Sequence, residues 1–207
     1  MILATPRRSA MSPRGFYWVY AYMVAALTVS GIASVRAEDM GTSDSVLDAL
    51  EMKLELGRHE RLLAVRMGKG ATLAPFASDG CSGGLSSVWR MASSTFPALA
   101  KRHGEHPPWE SCCTVHDRLY HAGAPAGADA RTSFEARRRA DEELAQCVRR
   151  IGEARSEALS AEYGLEREEV TLIYAGVADL MYRAVRLGGA PCTGLSWRWG
   201  FGWPDCE

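Results

Sequence analysis

The most constraining feature of the chain is one short run, Cys112-Cys113-x-x-His116-Asp117-x-x-Tyr120. On a helix, Cys112 and Cys113 sit four and three residues before His116 and Tyr120 sits four after it, so all four share one broad face. Asp117 is turned about 100° away from His116. An imidazole and an adjacent carboxylate therefore address neighbouring but distinct targets, as a general base and a metal ligand must. A His-Asp pair alone is common on helix surfaces, and the two cysteines directly upstream set this one apart.

The compartment follows from the first forty residues. Arg7, Arg8 and Arg14 precede an apolar run from Phe16 to about Ala33, the layout of an export signal. Val35 and Ala37 suit a cleavage site, so cutting is expected after Ala37, with Met11 as an alternative start. An uncleaved anchor is the competing reading, since roughly 18 apolar residues is the lower limit for spanning a bilayer. All six cysteines follow this segment, and an even count in an exported chain implies disulfides rather than metal thiolates. A secreted or periplasmic protein is expected.

Removing residues 1–37 takes away four arginines and no acid, leaving 20 basic and 25 acidic side chains, a net of −5. That balance excludes a nucleic-acid footprint. It also argues against electrostatic capture by anionic membranes, so any attraction to a lipid interface must come from apolar side chains.

At 207 residues the chain suits one core. Val46, Leu47, Leu50, Leu54, Leu62 and Val65 fit helical spacing over Ser43 to about Met67, with Ser43 or Ser45 as caps. Further helices are expected over Glu110 to about Ala122, Ser133 to about Ser160 and Glu166 to Leu187. The Gly/Ala/Pro-rich link from His121 to Ala130 and the turn-rich stretch Thr72 to Ser87 read as loops. No run alternates convincingly, so the fold class is mainly α. The three parts expected are the signal, a helical segment over 38–75, and a domain over 76–207 whose Gly- and Trp-rich tail is irregular.

With these residues in hand, the sequence resembles the secreted phospholipase A2 superfamily, whose active-site helix carries C-C-x-x-H-D-x-C-Y where this chain has CCTVHDRLY. The family takes a second carboxylate from an antiparallel helix, in a Cys-Asp pair whose Asp lies six residues before another Cys. Here Ala140, Asp141 and Cys147 keep that spacing. The family also joins the Cys after its His-Asp pair to the Cys before the second Asp. Both positions are changed here, to Leu119 and Ala140, as removal of one disulfide requires. If His116 faces Asp141, four residues back on one helix is about 6 Å and six forward on the other about 9 Å, which sets Cys112 and Cys147 at similar heights.

The loop Phe76-Ala77-Ser78-Asp79-Gly80-Cys81-Ser82-Gly83-Gly84 is the second resembling element. It implies a Cys81–Cys113 bridge, leaving Cys192 and Cys206 to each other. In the animal-type enzymes, loop carbonyls bind calcium at positions that map to Gly80, Ser82 and Gly84. The bacterial type maps instead to Asp79 and Gly80, and Asp79 adds the hard charged oxygen that suits calcium. The resemblance covers roughly Phe76 to Arg150.

What the resemblance implies is a calcium-dependent ester hydrolase acting on glycerophospholipid at a membrane interface, as a peripheral monomer. His116 is the base, Asp141 its orienting partner, Tyr120 a hydrogen-bond donor to Asp141, and Asp117, Gly80 and Asp79 the metal ligands, with a loop amide near Ser82 assisting. Ser86, Ser87, Ser93 and Ser94 offer no nucleophile elbow. His103, His106 and His121 are expected at the surface, and Arg137-Arg138-Arg139 on a solvated helix face. The tail tryptophans suit either a lipid interface or a packed cover. The rivals are a non-catalytic relative that binds calcium or lipid, a His-Asp metal phosphohydrolase, and a structural envelope protein.

Overall fold

The computed structural model describes residues 37–78, 80–81 and 106–206, with side chains from Val46 onward, that of Leu47 excepted. The chain divides into two compact units, Met1–Ser45 and Val46–Glu207. Of the first, only the helical main chain of 37–45 is described. The expected signal segment lies otherwise outside the described residues, as do Asp79, Ser82, Gly84, the four serines named above and His103.

Four helices and no strand occur among the described residues: α1 (Ala37–Met67), α2 (Glu110–Ala122), α3 (Ala130–Tyr163) and α4 (Arg167–Gly188). None of them is long and apolar enough to cross a membrane. α1 begins before Ser43 and Ser45, which therefore lie inside the helix and do not cap it. α3 begins three residues earlier than the apolar spacing suggests because the Asp129 side chain accepts from the Thr132 N–H, satisfying a free amide of the first turn. Gly164, in the left-handed region, ends it. Glu166 and Glu169 then form a capping box that starts α4.

Pairings along the helices give their directions. Asp141, Arg149 and Gly152 of α3 meet Arg186, Asp179 and Tyr174 of α4, so numbers fall on one helix as they rise on the other and the two are antiparallel. By the same logic α2 runs antiparallel to α3, through Cys112 with Cys147, His116 with Asp141 and Tyr120 with Arg137. Leu144, Val148, Val170, Tyr174 and Met181 bury the shared face against the two cysteine bridges of α2. The two helices approach closely at Gly152, where an added Cβ would stand 2.3 Å from Tyr174 Cβ. Gly152→Ala is expected to cost about 1–3 kcal/mol in strain against about 1 kcal/mol gained in helix propensity. Gly152→Val enlarges the clash, and denaturant midpoints that stay at the wild-type value for both variants would contradict this packing.

Three disulfides are present, Cys81–Cys113, Cys112–Cys147 and Cys192–Cys206, the same pairs that the family resemblance implies. The last closes the tail, which folds back over the C-terminal end of α2. Gly200 and Gly202 donate their N–H groups to the carbonyls of Tyr120 and His121, two of the otherwise free acceptors at that helix end. Trp199 is buried, stands edge-on to Tyr120 at 5.1 Å and donates from Nε1 to Ser133 Oγ at 3.1 Å. The tail is thus a packed cover around this tryptophan, with Leu62 of α1 beneath it.

Two surface expectations are corrected. His121 is buried between the rings of Phe76 and Phe201, because the tail closes over the face it presents. Arg137 is fully buried, whereas Arg139 is exposed. Consecutive helical residues diverge by about 100°, and Arg137 falls on the inward stripe with Phe134, Ala140, Asp141 and Leu144.

Candidate functional site

Helix α2 presents Cys112, Cys113, His116 and Tyr120 to the interior, as their spacing requires, while Asp117 stands at the edge, half-buried. Both cysteines are bridged outward, one to α3 and one to the loop at Cys81, so the helix is fixed on two sides next to His116. The His116 ring packs against Tyr120 at 4.1 Å between centroids.

Opposite His116 stands Asp141, wholly buried. His116 Nε2 lies 2.8 Å from Asp141 Oδ1, and the Tyr120 hydroxyl donates to the same oxygen at 2.6 Å. A carboxylate only accepts, so Nε2 carries a proton, and in the neutral ring the lone pair is then on Nδ1. Tyr120 donates to Asp141, whose carboxylate only accepts, while its own oxygen accepts from Arg137 Nε at 3.1 Å. Burial, reinforced by the adjacent Asp141, pushes the Tyr120 hydroxyl well above its usual range and keeps it protonated.

A buried ion network, not foreseen from the sequence, surrounds this pair. Arg186 Nη1 donates to Asp141 Oδ2 at 2.9 Å, and its Nε donates to Glu51 Oε1 at 3.0 Å. Arg137 Nη1 reaches Glu55 Oε2 at 2.5 Å, and Nη2 donates to the carbonyls of Val185 and Arg186 at 2.8 Å each. Burial alone would weaken both cations, but it is outweighed by Tyr120 and Asp141 at Arg137 and by Asp141, Glu51 and Glu55 at Arg186. The sequence did hold a signal for Arg137: four residues before Asp141, it shares that residue's helix face. Glu51, Glu55 and Arg186 lie outside the stretch covered by the resemblance and carried no comparable mark.

Glu55, His59 and Ser133 line up like a second acid–base–hydroxyl set, with His59 Nδ1 2.7 Å from Ser133 Oγ and Nε2 3.5 Å from Glu55 Oε2. His59 and Ser133 have no exposed surface and Trp199 occupies the serine oxygen, so this set is structural. Burial lowers His59 below its ordinary 6.5 despite Glu55. Burial raises Glu55, but His59, Arg137 and Arg186 outweigh it and leave the group below its ordinary 4.5. For both groups the unfolded chain binds the proton more readily, so stability is full above the unfolded values and is lost as pH falls. The loss begins below 6.5 for His59 and deepens below 4.5 for Glu55. Urea midpoints between about pH 7.5 and 5 are expected to fall less steeply in His59→Gln than in the wild type, and equal slopes would contradict this.

His116 and Asp117 share the wall of an open pocket with Gly80. Leu144, Met181, Ala184, Val185 and Trp197 form its apolar side. Asp117 Oδ2 accepts from Ser78 Oγ at 2.6 Å, and Ser78 Oγ accepts from the Gly80 N–H at 3.2 Å, so the loop is tied to α2 at the pocket edge. Gly80 has a φ of +73°, in the left-handed region that favours glycine, and an added Cβ would also displace the Glu110 carboxylate, 2.6 Å away at Oε1. Among the described residues no three His, Cys, Asp or Glu side chains are grouped to hold a metal. The ligands expected here are of a mixed kind, the Asp117 and Asp79 carboxylates with the Gly80 carbonyl; Asp117 and Gly80 line the pocket together, and Asp79 lies outside the described residues.

The chain has no match among protein-family models, curated proteins or solved structures.

Proposed function

We propose that the protein is an exported, calcium-dependent hydrolase of the phospholipase A2 type, with the fold of that superfamily, releasing a fatty acid from glycerophospholipid at a membrane interface. The observation that carries the reading is one juxtaposition. A histidine whose Nε2 is held by a buried carboxylate lines an apolar pocket together with the adjacent Asp117 and the loop glycine Gly80.

In this reading His116 Nδ1 takes the proton of the attacking water, as a histidine is suited to do near neutral pH. Asp141 fixes the tautomer and ring plane and stabilises the imidazolium, and Tyr120 holds Asp141. The proton returns from Nδ1 to the departing alkoxide. The apolar side, with Leu144, Met181 and Trp197, takes the acyl chain and excludes water from it. Asp117, the Gly80 carbonyl and Asp79 would hold calcium. When bound, the cation supplies polarisation of the ester carbonyl and stabilises the charge developing on its oxygen.

The test is product analysis with phosphatidylcholine vesicles carrying different acyl chains at the two glycerol positions. Free fatty acid and lysophospholipid in equal amounts, formed in calcium and not in chelator, is the expected result. Calcium binding without release would favour a non-catalytic binding protein, and release indifferent to chelator would contradict the reading.

A further inference from the structure

The hydrolytic reading assigns a role to one oxygen of Asp141 only. Its other oxygen faces a guanidinium, and that guanidinium is held by the N-terminal helix. We infer that Arg186 is a positioning residue of the site, fixing the plane of the Asp141 carboxylate from the side opposite His116 and fixed in turn by Glu51 and Glu55 of α1. The inference rests on the proposed hydrolysis for its kinetic consequence, but its geometric content can be read without turnover.

A carboxylate held through Oδ1 alone can swing about its Cβ–Cγ bond and carry its hydrogen-bond partners with it. Here Oδ1 takes His116 Nε2 and the Tyr120 hydroxyl, while Oδ2 takes Arg186 Nη1 at 2.9 Å. Both oxygens are engaged, so the carboxylate plane is set, and with it the direction of the imidazole. Arg186 cannot drift either. Its Nη2 lies 2.8 Å from Glu51 Oε1 and 3.9 Å from Glu55 Oε1, and its guanidinium sits 5.3 Å from the Phe134 ring centroid.

The arrangement closes on itself. Glu55 binds Arg137, Arg137 donates to Tyr120, and Tyr120 donates to Asp141. Two guanidinium groups are balanced by the buried Asp141 and Glu55, with Glu51 at the rim, which is the condition under which buried charge is tolerated. Arg186 also lies in the last turn of α4, where helix carbonyls favour a cation. A helix outside every recognisable motif thereby acts on the tautomer of the base.

The test uses the full exported protein with three readouts: kcat and KM for phosphatidylcholine vesicles, calcium affinity, and the nitrogen NMR signals of the His116 ring in its neutral form. In Arg186→Gln, kcat is expected to fall about 10- to 100-fold, with KM and calcium affinity within about twofold of wild type. The neutral ring should pass from one Nε2–H tautomer to a mixture, and Arg186→Lys should recover part of both losses. Glu51 is about one-third exposed, so Glu51→Gln should fold even if Arg186→Gln does not, and it should move kcat and tautomer in the same direction by a smaller factor. Unchanged kcat and tautomer in these variants, or lower turnover with the wild-type tautomer intact, would overturn the inference. A wild-type protein without calcium-dependent release would defeat the hydrolytic reading instead, and the tautomer comparison would still decide the positioning role.

Discussion

Replacing His116 with glutamine is expected to lower the rate of fatty-acid release by about 10²–10⁴-fold, the contribution typical of a positioned general base. The glutamine amide can still donate to Asp141, so the buried carboxylate keeps a partner at this position and the fold should persist. Calcium affinity should change little, because Asp117 and Gly80 keep their places. Initial rates on phosphatidylcholine vesicles, measured beside denaturation midpoints, check both halves of the expectation. A variant as stable as wild type and equally active would remove His116 from the mechanism.

The largest effect on stability is expected at Arg137. Arg137→Met leaves Glu55 without its closest cation, takes the donor away from Tyr120 and strips the carbonyls of Val185 and Arg186 of their shared partner. Breaking a buried pair by removing one member costs about 3–5 kcal/mol, because the remaining charge is buried and uncompensated. Glu55→Gln in the same background should return part of that loss, since the orphaned charge is then gone. The double variant is therefore expected to be more stable than the sum of the single effects allows. Urea denaturation of the four proteins measures the coupling, and a loss for Arg137→Met below about 1 kcal/mol would show that the ion network is not holding these helices.

The two kinds of residue differ in how far the sequence revealed them. His116, Tyr120 and the cysteines of α2 were legible because helical geometry converts their spacing into one shared face, whereas Asp141 and Cys147 were marked by the family resemblance, and the structure brings them together. The mainly helical class was legible for a similar reason, though the start of α3 was not, since Asp129 acts through a cap and carries no apolar period. Arg137 was misread as surface because a run of three arginines suggests solvent, whereas its phase with Phe134 and Leu144 points inward. His121 was misread because its burial depends on a tail about eighty positions away folding over it, at Phe201 and Gly202. Arg186, Glu51 and Glu55 could not be tied to Asp141 from spacing, because they come from two helices whose approach to α3 is set by tertiary packing. Asp79, the remaining expected metal ligand, falls outside the described residues.

This division has a physical basis. Local geometry relates residues within a helix, and the family resemblance relates two helices through the spacing of their cysteines and Asp141. A charge network drawn from three helices has no sequence period to announce it. The residues that perform the proposed chemistry are thus the legible ones, and those that hold them in place are mostly the ones that packing reveals.

The most direct test of the central claim, that His116 held by Asp141 activates water at a calcium-dependent site, is a single comparison of fatty-acid release from phosphatidylcholine vesicles. It sets the wild-type protein in calcium beside the same protein in chelator and beside His116→Gln in calcium. Release in the first sample alone is the expected outcome. Release that persists in both of the others would contradict it.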